Sequence, residues 1–364
     1  MAALILVKHA LVLAPFDAIS VRQKCGGWRQ NYKFLNGLCS LNAGPNRLGL
    51  SAWKETVSVA MDYQAVLDYI REAVEPKFGK GKVADYIPAL AGVPGGKFGM
   101  AVQLADGRNF KTGDADEAFS IQSISKLFVL QMVMSHFGDM VWTRVGKEPS
   151  GDRFNSMIKL EMEHGVPRNP FINPGALATL DLLMSLKGDT KQRIRNYLRY
   201  LALNDSVEVD PVVAKSEYEH ANLNRAMAHL MKGYNNIHMD VDDLLDTYCY
   251  QCAMAMSCVD LARAGLPLAM GGYSALHDAS IISTSQAKRI NAVMLTCGTY
   301  DSVGSFAYRV GIPAKSGVGG GILAVVPGKM AVCVWAPELD TFGNSYVGTA
   351  ALEMFTSLTH TSIF

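Results

Sequence analysis

Two pairs of short β-rich runs stand far apart in the sequence with helical periodicity between them, and this layout constrains the fold more than any other feature. Phe98 to Leu104 reads as a strand, Asp106-Gly107 as a hairpin turn and Asn109 to Gly113 as its return. Near the other end, Ile322 to Val326 and Ala331 to Trp335 flank Pro327-Gly328-Lys329-Met330 as a second hairpin. Between them apolar residues recur at helical spacing over Gly175 to Leu186, Gln192 to Leu203, Asn222 to Lys232, Val241 to Met270 with interruptions, and Ser285 to Thr296. Val347, Ala351, Met354, Phe355 and Leu358 mark a final helix. Strands from both ends can satisfy their edges by meeting in one antiparallel sheet. The expected architecture is therefore α+β, an antiparallel sheet flanked by helices with an inserted helical subdomain.

The first 60 residues do not share this order. Gly26 to Asn46 shows no sustained period and several turn formers, whereas Val66, Leu67, Ile70 and Val74 open a helical pattern just after Met61. The formal net charge of +1 hides an asymmetry, because the first 60 residues hold Lys8, Arg22, Lys24, Arg29, Lys33, Arg47 and Lys54 against Asp17 and Glu55 alone. We read residues 1–60 as a poorly ordered extension, with Met61 as a plausible initiator. Residues 61–364 are read as the catalytic domain, its sheet parts at about 61–122 and 300–364 and its helical part at about 123–299.

Charge and apolar patterning exclude several classes of function. Beyond residue 60 acids outnumber bases, so no basic face for nucleic acid is expected. No stretch approaches the ~20 apolar residues of a membrane span, and the N-terminus, broken by Lys8-His9, makes a poor signal peptide. A cytoplasmic location is expected. The seven cysteines are scattered among apolar neighbours, as buried thiols would be, and Cys249-Tyr250-Gln251-Cys252 spells C-x-x-C with no second pair. Eight histidines supply no H-E-x-x-H, and no phosphate-binding glycine loop is present, so neither a metal nor a cofactor is expected.

The chemistry suggested by the sequence is nucleophilic. A serine with a lysine three residues on shares a helix face with it, and a lysine of lowered pKa can take the serine's proton. The S-x-x-K pattern occurs four times, at Ser51/Lys54, Ser123/Lys126, Ser156/Lys159 and Ser285/Lys288. Context selects Ser123, which follows the extended Ala118 to Ile121 and opens the apolar Leu127-Phe128-Val129-Leu130 helix. At a buried helix start, free N–H groups and the positive dipole end favour a neutral lysine. Ser285 reads as an ordinary helix opening, its hydroxyl a cap. Lys315-Ser316-Gly317 beside the Gly-rich turn 318–321 matches the K-[ST]-G signature of serine hydrolases with a Ser-Lys helix. Lys111-Thr112-Gly113 repeats the signature but precedes the serine, the wrong order.

Five blocks then carry a family resemblance. They are Asp85 to Leu90 (DYIPAL), Ser120 to Lys126 (SIQSISK), Val145 to Gly151 (VGKEPSG), Arg168 to Ala176 (RNPFINPGA) and Gly311 to Val318 (GIPAKSGV). In this order they resemble the serine-dependent glutaminases, of the β-lactamase-like, penicillin-recognising superfamily, from about Met61 to the C-terminus. The resemblance implies hydrolysis of L-glutamine to L-glutamate and ammonia through a Ser123 acyl-enzyme. Lys126 would activate the serine, with Tyr300 and Tyr248 in proton transfer. Tyr86, Gln122, Ser123, Asn173, Glu217, Asn224, Tyr248, Tyr300 and Val318 match glutamine-contacting positions. That set suits the substrate, since Glu217 offers an anion for the α-ammonium and the neutral donors serve the carboxylate. The N–H groups of Ser123 and Val318 would form an oxyanion hole. A homodimer or homotetramer is implied as well. Two alternatives stay open: a β-lactamase or DD-peptidase of the same superfamily, and a non-catalytic amino-acid-binding protein.

Overall fold

Along the long strands of the main sheet both pleat faces are apolar, and each face meets its own layer of helices. The computed structural model describes residues 61–151 and 157–364, so the expectation for residues 1–60 lies outside the described residues. The strands are β1 (Gly99–Leu104), β2 (Asn109–Gly113), β3 (Phe119–Ser120), β4 (Glu208–Val209), β5 (Met254–Met256), β6 (Tyr273–Ser274), β7 (Ala279–Ser280), β8 (Ala314–Ser316), β9 (Gly321–Val326) and β10 (Met330–Trp335). The main sheet runs β2-β1-β10-β9-β8, and every pairing in it is antiparallel. The two hairpins of the sequence meet at its centre, where Gly99 pairs with Trp335 and Leu104 with Met330.

A period of two sorts the side chains. Met100, Val102, Leu104, Ile322, Ala324, Val326, Val332 and Val334 share one cluster with Leu67, Ile70 and Val74 of the Tyr63–Val74 helix and Val347, Ala351, Leu352 and Phe355 of the Tyr346–Thr359 helix. Their neighbours Ala101, Leu323, Val325, Cys333 and Trp335 join the opposite cluster. Against that face lies the Cys258–Ala269 helix, so close that a Cβ on Gly265 would stand 2.8 Å from Leu323 Cδ1. Only glycine allows this approach without repacking. Local signals set the helix ends, for the Asp62 carboxylate accepts from Ala65 N at 3.1 Å and Ser257 and Asp260 form a capping box.

The α+β expectation holds, and the middle of the chain packs as a second layer around the Ser125–Phe137 helix. Ser125 through Met134 of that helix are all buried, as expected of a helix apolar all round. Sequence periodicity missed two local features of this layer. A small ribbon of order β3-β5-β4 sits among the helices, built of strands too short to show a period. The Pro211–Glu219 helix was also not read, because only Val213 and Glu217 on it are buried. No helix among the described residues is long and apolar enough to cross a membrane.

Candidate active site

Ser123 occupies a 3-10 turn, Gln122–Ile124, that runs directly into the Ser125–Phe137 helix. The sequence reading placed it at the start of the helix itself. The turn is reached through Gln122, a non-glycine residue at φ 48°, and such strain persists only where surroundings hold it. They do so here. The Gln122 amide donates to Ser120 Oγ at 2.9 Å and to Glu217 Oε2 at 3.3 Å. On the other side the Gly317–Gly319 backbone presses in, since a Cβ on Gly317 would lie 2.5 Å from the Ile121 carbonyl oxygen and 3.3 Å from the Ser123 nitrogen. The K-S-G segment is thus part of the serine's wall. Lys315 and Ser316 lie on edge strand β8.

Lys126 is almost wholly buried beneath the serine's turn. Its amine donates to Asn173 Oδ1 at 2.7 Å and to the Phe171 carbonyl at 3.3 Å, and lies 5.9 Å from the Tyr248 ring centroid. Burial pushes its pKa down to about 8. A second lysine, Lys315, lies 4.7 Å from the Tyr300 ring centroid and donates to the Gly298 carbonyl at 3.1 Å. Burial first, and then the charge of Lys126, holds its amine well below the usual range. Tyr300 sits at φ 55°, its hydroxyl donating to the Ser316 carbonyl at 3.4 Å. Burial raises it to about 12, and hydrogen bonds with Ser123 and Ser316 oppose that rise. Tyr248 is raised well above its ordinary value by burial, so both phenols are protonated at neutral pH.

These groups meet at a cavity of about 410 Å³. Tyr86, Gln122, Ser123, Asn173, Glu217, Asn224, Tyr248, Tyr300 and Val318 all line it, so every substrate-contacting position named from the sequence is brought together. Lys126 is not among the lining residues and stands behind them. Asn173 is the hub of the far wall: it accepts from Lys126 and, at 3.3 Å, from the Tyr248 hydroxyl, and its amide donates to Asn224 Oδ1 at 3.0 Å. Glu217 is buried, and burial raises its pKa to about 7 against hydrogen bonds from Gln122 and Cys252 and the charge of Lys126. A buried carboxylate facing a cavity is able to pair with a cation that enters it. Tyr86 is half exposed at the mouth.

Sequence reasoning missed the lining residues His220, Asn222, Leu223 and Cys252. The first three follow Glu217 across a helix junction, and the signal for that element was Asp210-Pro211, an N-cap with proline at the first helical position. The decoys separate cleanly. Ser51/Lys54 and Ser156 lie outside the described residues. Ser285 and Lys288 are exposed on the Thr284–Cys297 helix, where the capping hydroxyl is Ser283's rather than Ser285's. In the N-terminal K-T-G, Lys111 pairs with Asp116 at 2.6 Å and Thr112 bonds Asp68 at 2.9 Å. Cys249, Cys252, Cys258, Cys297 and Cys333 are free and buried, while Cys25 and Cys39 lie outside the described residues.

The sheet, its flanking helices and the wall of Ser123, Lys126 and K-S-G define a protein of the β-lactamase-like fold. Solved structures agree. A probable glutaminase, ybaS, is similar with a TM-score of 0.77 and 35% identity over 82% of this chain and 98% of its own. A probable glutaminase from Bacillus subtilis, complexed with 6-diazo-5-oxo-L-norleucine, is similar with a TM-score of 0.74 and 32% identity over 84% and 98%. The glutaminase family model matches residues 81–364. The glutaminase of Caulobacter vibrioides is 56% identical over 304 residues, 84% of this chain and 99% of the relative. That of Ralstonia nicotianae is 53% identical over 84% of this chain and 100% of its own length. The chain belongs to the glutaminase family.

Proposed function

We propose that this glutaminase hydrolyses L-glutamine through an acyl-enzyme on Ser123, with Lys126 as the group that accepts the serine's proton. The reading rests above all on the convergence of Ser123, Glu217, Asn173 and Asn224 on one cavity, with Lys126 buried beneath it. The α-ammonium of glutamine binds Glu217, and Asn173, Asn224 and Tyr86 serve its carboxylate. With its pKa near 8, Lys126 is neutral part of the time at working pH, as a base must be. Ser123 Oγ forms a bond to the γ-amide carbon, and the proton passes to Lys126. The N–H groups of Ser123 and Val318 hold the oxyanion. The carbon–nitrogen bond then breaks as a proton returns to the leaving nitrogen through Tyr300, with Tyr248 assisting. Water hydrolyses the glutamyl ester and restores the serine.

A solved Bacillus subtilis glutaminase forms a covalent complex with 5-oxo-L-norleucine on reaction with 6-diazo-5-oxo-L-norleucine. The same reagent tests this chain. Peptide mapping after treatment is expected to find the adduct on Ser123, and an adduct on any other residue sinks the assignment. Residues 61–364 are proposed to suffice as the catalytic domain, supported by relatives matched over nearly their full length. A cytosolic homo-oligomer belongs to the same proposal, with light scattering as the measure of subunit number.

A further inference from the structure

Among the described residues the Lys126 amine donates to two acceptors, and both belong to one short turn. The Phe171 carbonyl accepts at 3.3 Å and Asn173 Oδ1 at 2.7 Å. The side chain that holds this turn is Asn169, which is 2% exposed and has no part in the reaction as derived above. Its Oδ1 accepts from the backbone nitrogens of Phe171 at 3.0 Å and Ile172 at 3.1 Å, and its Nδ2 donates to the Glu148 carbonyl at 2.9 Å. An asparagine closes a turn in this way by capping the N–H groups just after it. The anchor is itself fixed, because the Gly146 nitrogen donates to the Pro167 carbonyl at 2.7 Å and the Glu148 nitrogen to the Arg168 carbonyl at 2.9 Å. The turn is also pressed against the helix that follows, where a Cβ on Gly175 would stand 1.8 Å from the Asn169 carbonyl oxygen. Phe171 thereby lies between two lysines, its carbonyl on Lys126 and its ring centroid 5.7 Å from the Lys315 amine.

We propose that Asn169 is a positioning residue for Lys126, holding the Phe171 carbonyl on the amine so that the neutral lysine keeps its lone pair free for the serine's proton. This rests on the reading of Lys126 as the group that takes that proton. A neutral amine carries two N–H bonds and one lone pair. With Phe171 and Asn173 accepting the two N–H bonds, the lone pair is confined to the directions that remain. If the carbonyl swings away, a buried N–H loses its partner and the amine turns to recover one. Asn173 has support of its own: it opens the Asn173–Met184 helix, donates to Asn224 Oδ1 at 3.0 Å and accepts from the Tyr248 hydroxyl at 3.3 Å. The aim of the Phe171 carbonyl depends on the turn. Loss of the Asn169 side chain is therefore felt in the rate of proton transfer and not in glutamine binding.

Steady-state kinetics of wild type, Asn169→Ala, Lys126→Met and the double variant test this, with kcat counted per folded molecule by near-ultraviolet circular dichroism. Asn169→Ala is expected to lower kcat about tenfold or more while KM stays within about threefold. In the Lys126→Met background the same change is expected to cost less than about twofold, since the amine it positions is gone. Asn169→Ser, whose hydroxyl keeps a shorter acceptor for the turn, is expected to lose only about threefold in kcat. It takes the alanine variant's place in the cycle if that variant fails to fold. A kcat within about twofold of wild type in Asn169→Ala, a loss confined to KM, or an equal loss with and without Lys126 overturns the role of Asn169. A Lys126→Met variant with the kcat of wild type overturns instead the reading of Lys126 as base.

Discussion

The central strands of the main sheet and the seam around Ser123 are both buried and built of opposite materials. In β9 and β10 every residue is buried, and all are apolar or glycine, so burial there drives folding at roughly 25 cal/mol per Å² of apolar surface. In the seam, Lys126, Lys315, Glu217 and Gln122 are buried as well, and burial there works against folding. The Lys126 pKa is depressed, so above about pH 8 the folded state binds fewer protons than the unfolded chain until pH passes the ordinary lysine range. That cost is full below about pH 8 and fades as pH rises toward the unfolded value. Glu217 is raised, so its neutral form is favoured in the fold. Its cost is absent at low pH, grows from the ordinary carboxylate range up to about pH 7, and then stays. At neutral pH both charges weaken the free enzyme. The sheet supplies the stability that the seam spends on chemistry.

The sharpest way to break this contrast is Ser123→Ala, which touches function alone. Turnover is expected to fall by about 10³-fold or more, with glutamine binding still measurable by calorimetry and thermal stability near wild type. Activity within tenfold of wild type rejects the serine as nucleophile. Lys126 should move the two properties in opposite directions. Lys126→Met is expected to lower kcat about 10²-fold or more while raising stability by about 1–3 kcal/mol near pH 7.5, read by denaturant titration. Lys126→Arg is expected to be nearly as inactive, since a guanidinium does not give up its proton. A lysine that is only structural gives an unstable Met variant and an active Arg variant.

Changing pH probes the same seam more gently. In the proposed mechanism Glu217 must lose a proton near pH 7 to bind the ammonium, and Lys126 one near pH 8 to act as base. Hence kcat/KM is expected to climb by at least about tenfold from pH 6 to 8, and a flat profile removes both groups from the free-enzyme titration. The sheet provides the converse. Leu352→Ala, in the helix layer over the sheet, is expected to cost about 2–5 kcal/mol and leave kcat/KM within about twofold while the protein is folded. Smallest of all is the effect expected of starting the chain at Met61, with activity and melting temperature both unchanged. Loss of folding in that chain refutes the assignment of residues 61–364 as sufficient.

The contrast also explains what the sequence made legible. β9 and β10 could be read because apolar runs bounded by turn residues have few other uses. Ser123 could be chosen among four S-x-x-K copies because a lysine inside an all-apolar helix start is costly unless it works. The Pro211–Glu219 helix escaped because it buries too few residues to show a period. For the same reason periodicity gives no sign that Glu217 is buried, and only the family blocks pointed to it. Cys252 was invisible for another reason. It reaches the cavity wall only through the packing of distant segments, its carbonyl bonded to Ser120 Oγ. Likewise the left-handed backbone at Gln122 and Tyr300 is imposed by surroundings that no local propensity records.

The pairing of β1 with β10 sets a schedule for synthesis. The centre of the sheet joins Gly99–Leu104 to Met330–Trp335, so the nascent chain cannot close its main sheet until almost all of it has left the ribosome. At roughly 5–20 residues per second, the N-terminal hairpin waits for on the order of ten seconds or more without the strand that completes its sheet. During that interval one edge of β1 lacks its partner and its apolar side chains are uncovered on both faces, open to the wrong neighbour. A fold whose hydrolytic seam lies between early and late segments is thereby inactive until it is whole, and its slowest folding step is expected to be the long loop closure that unites its two ends.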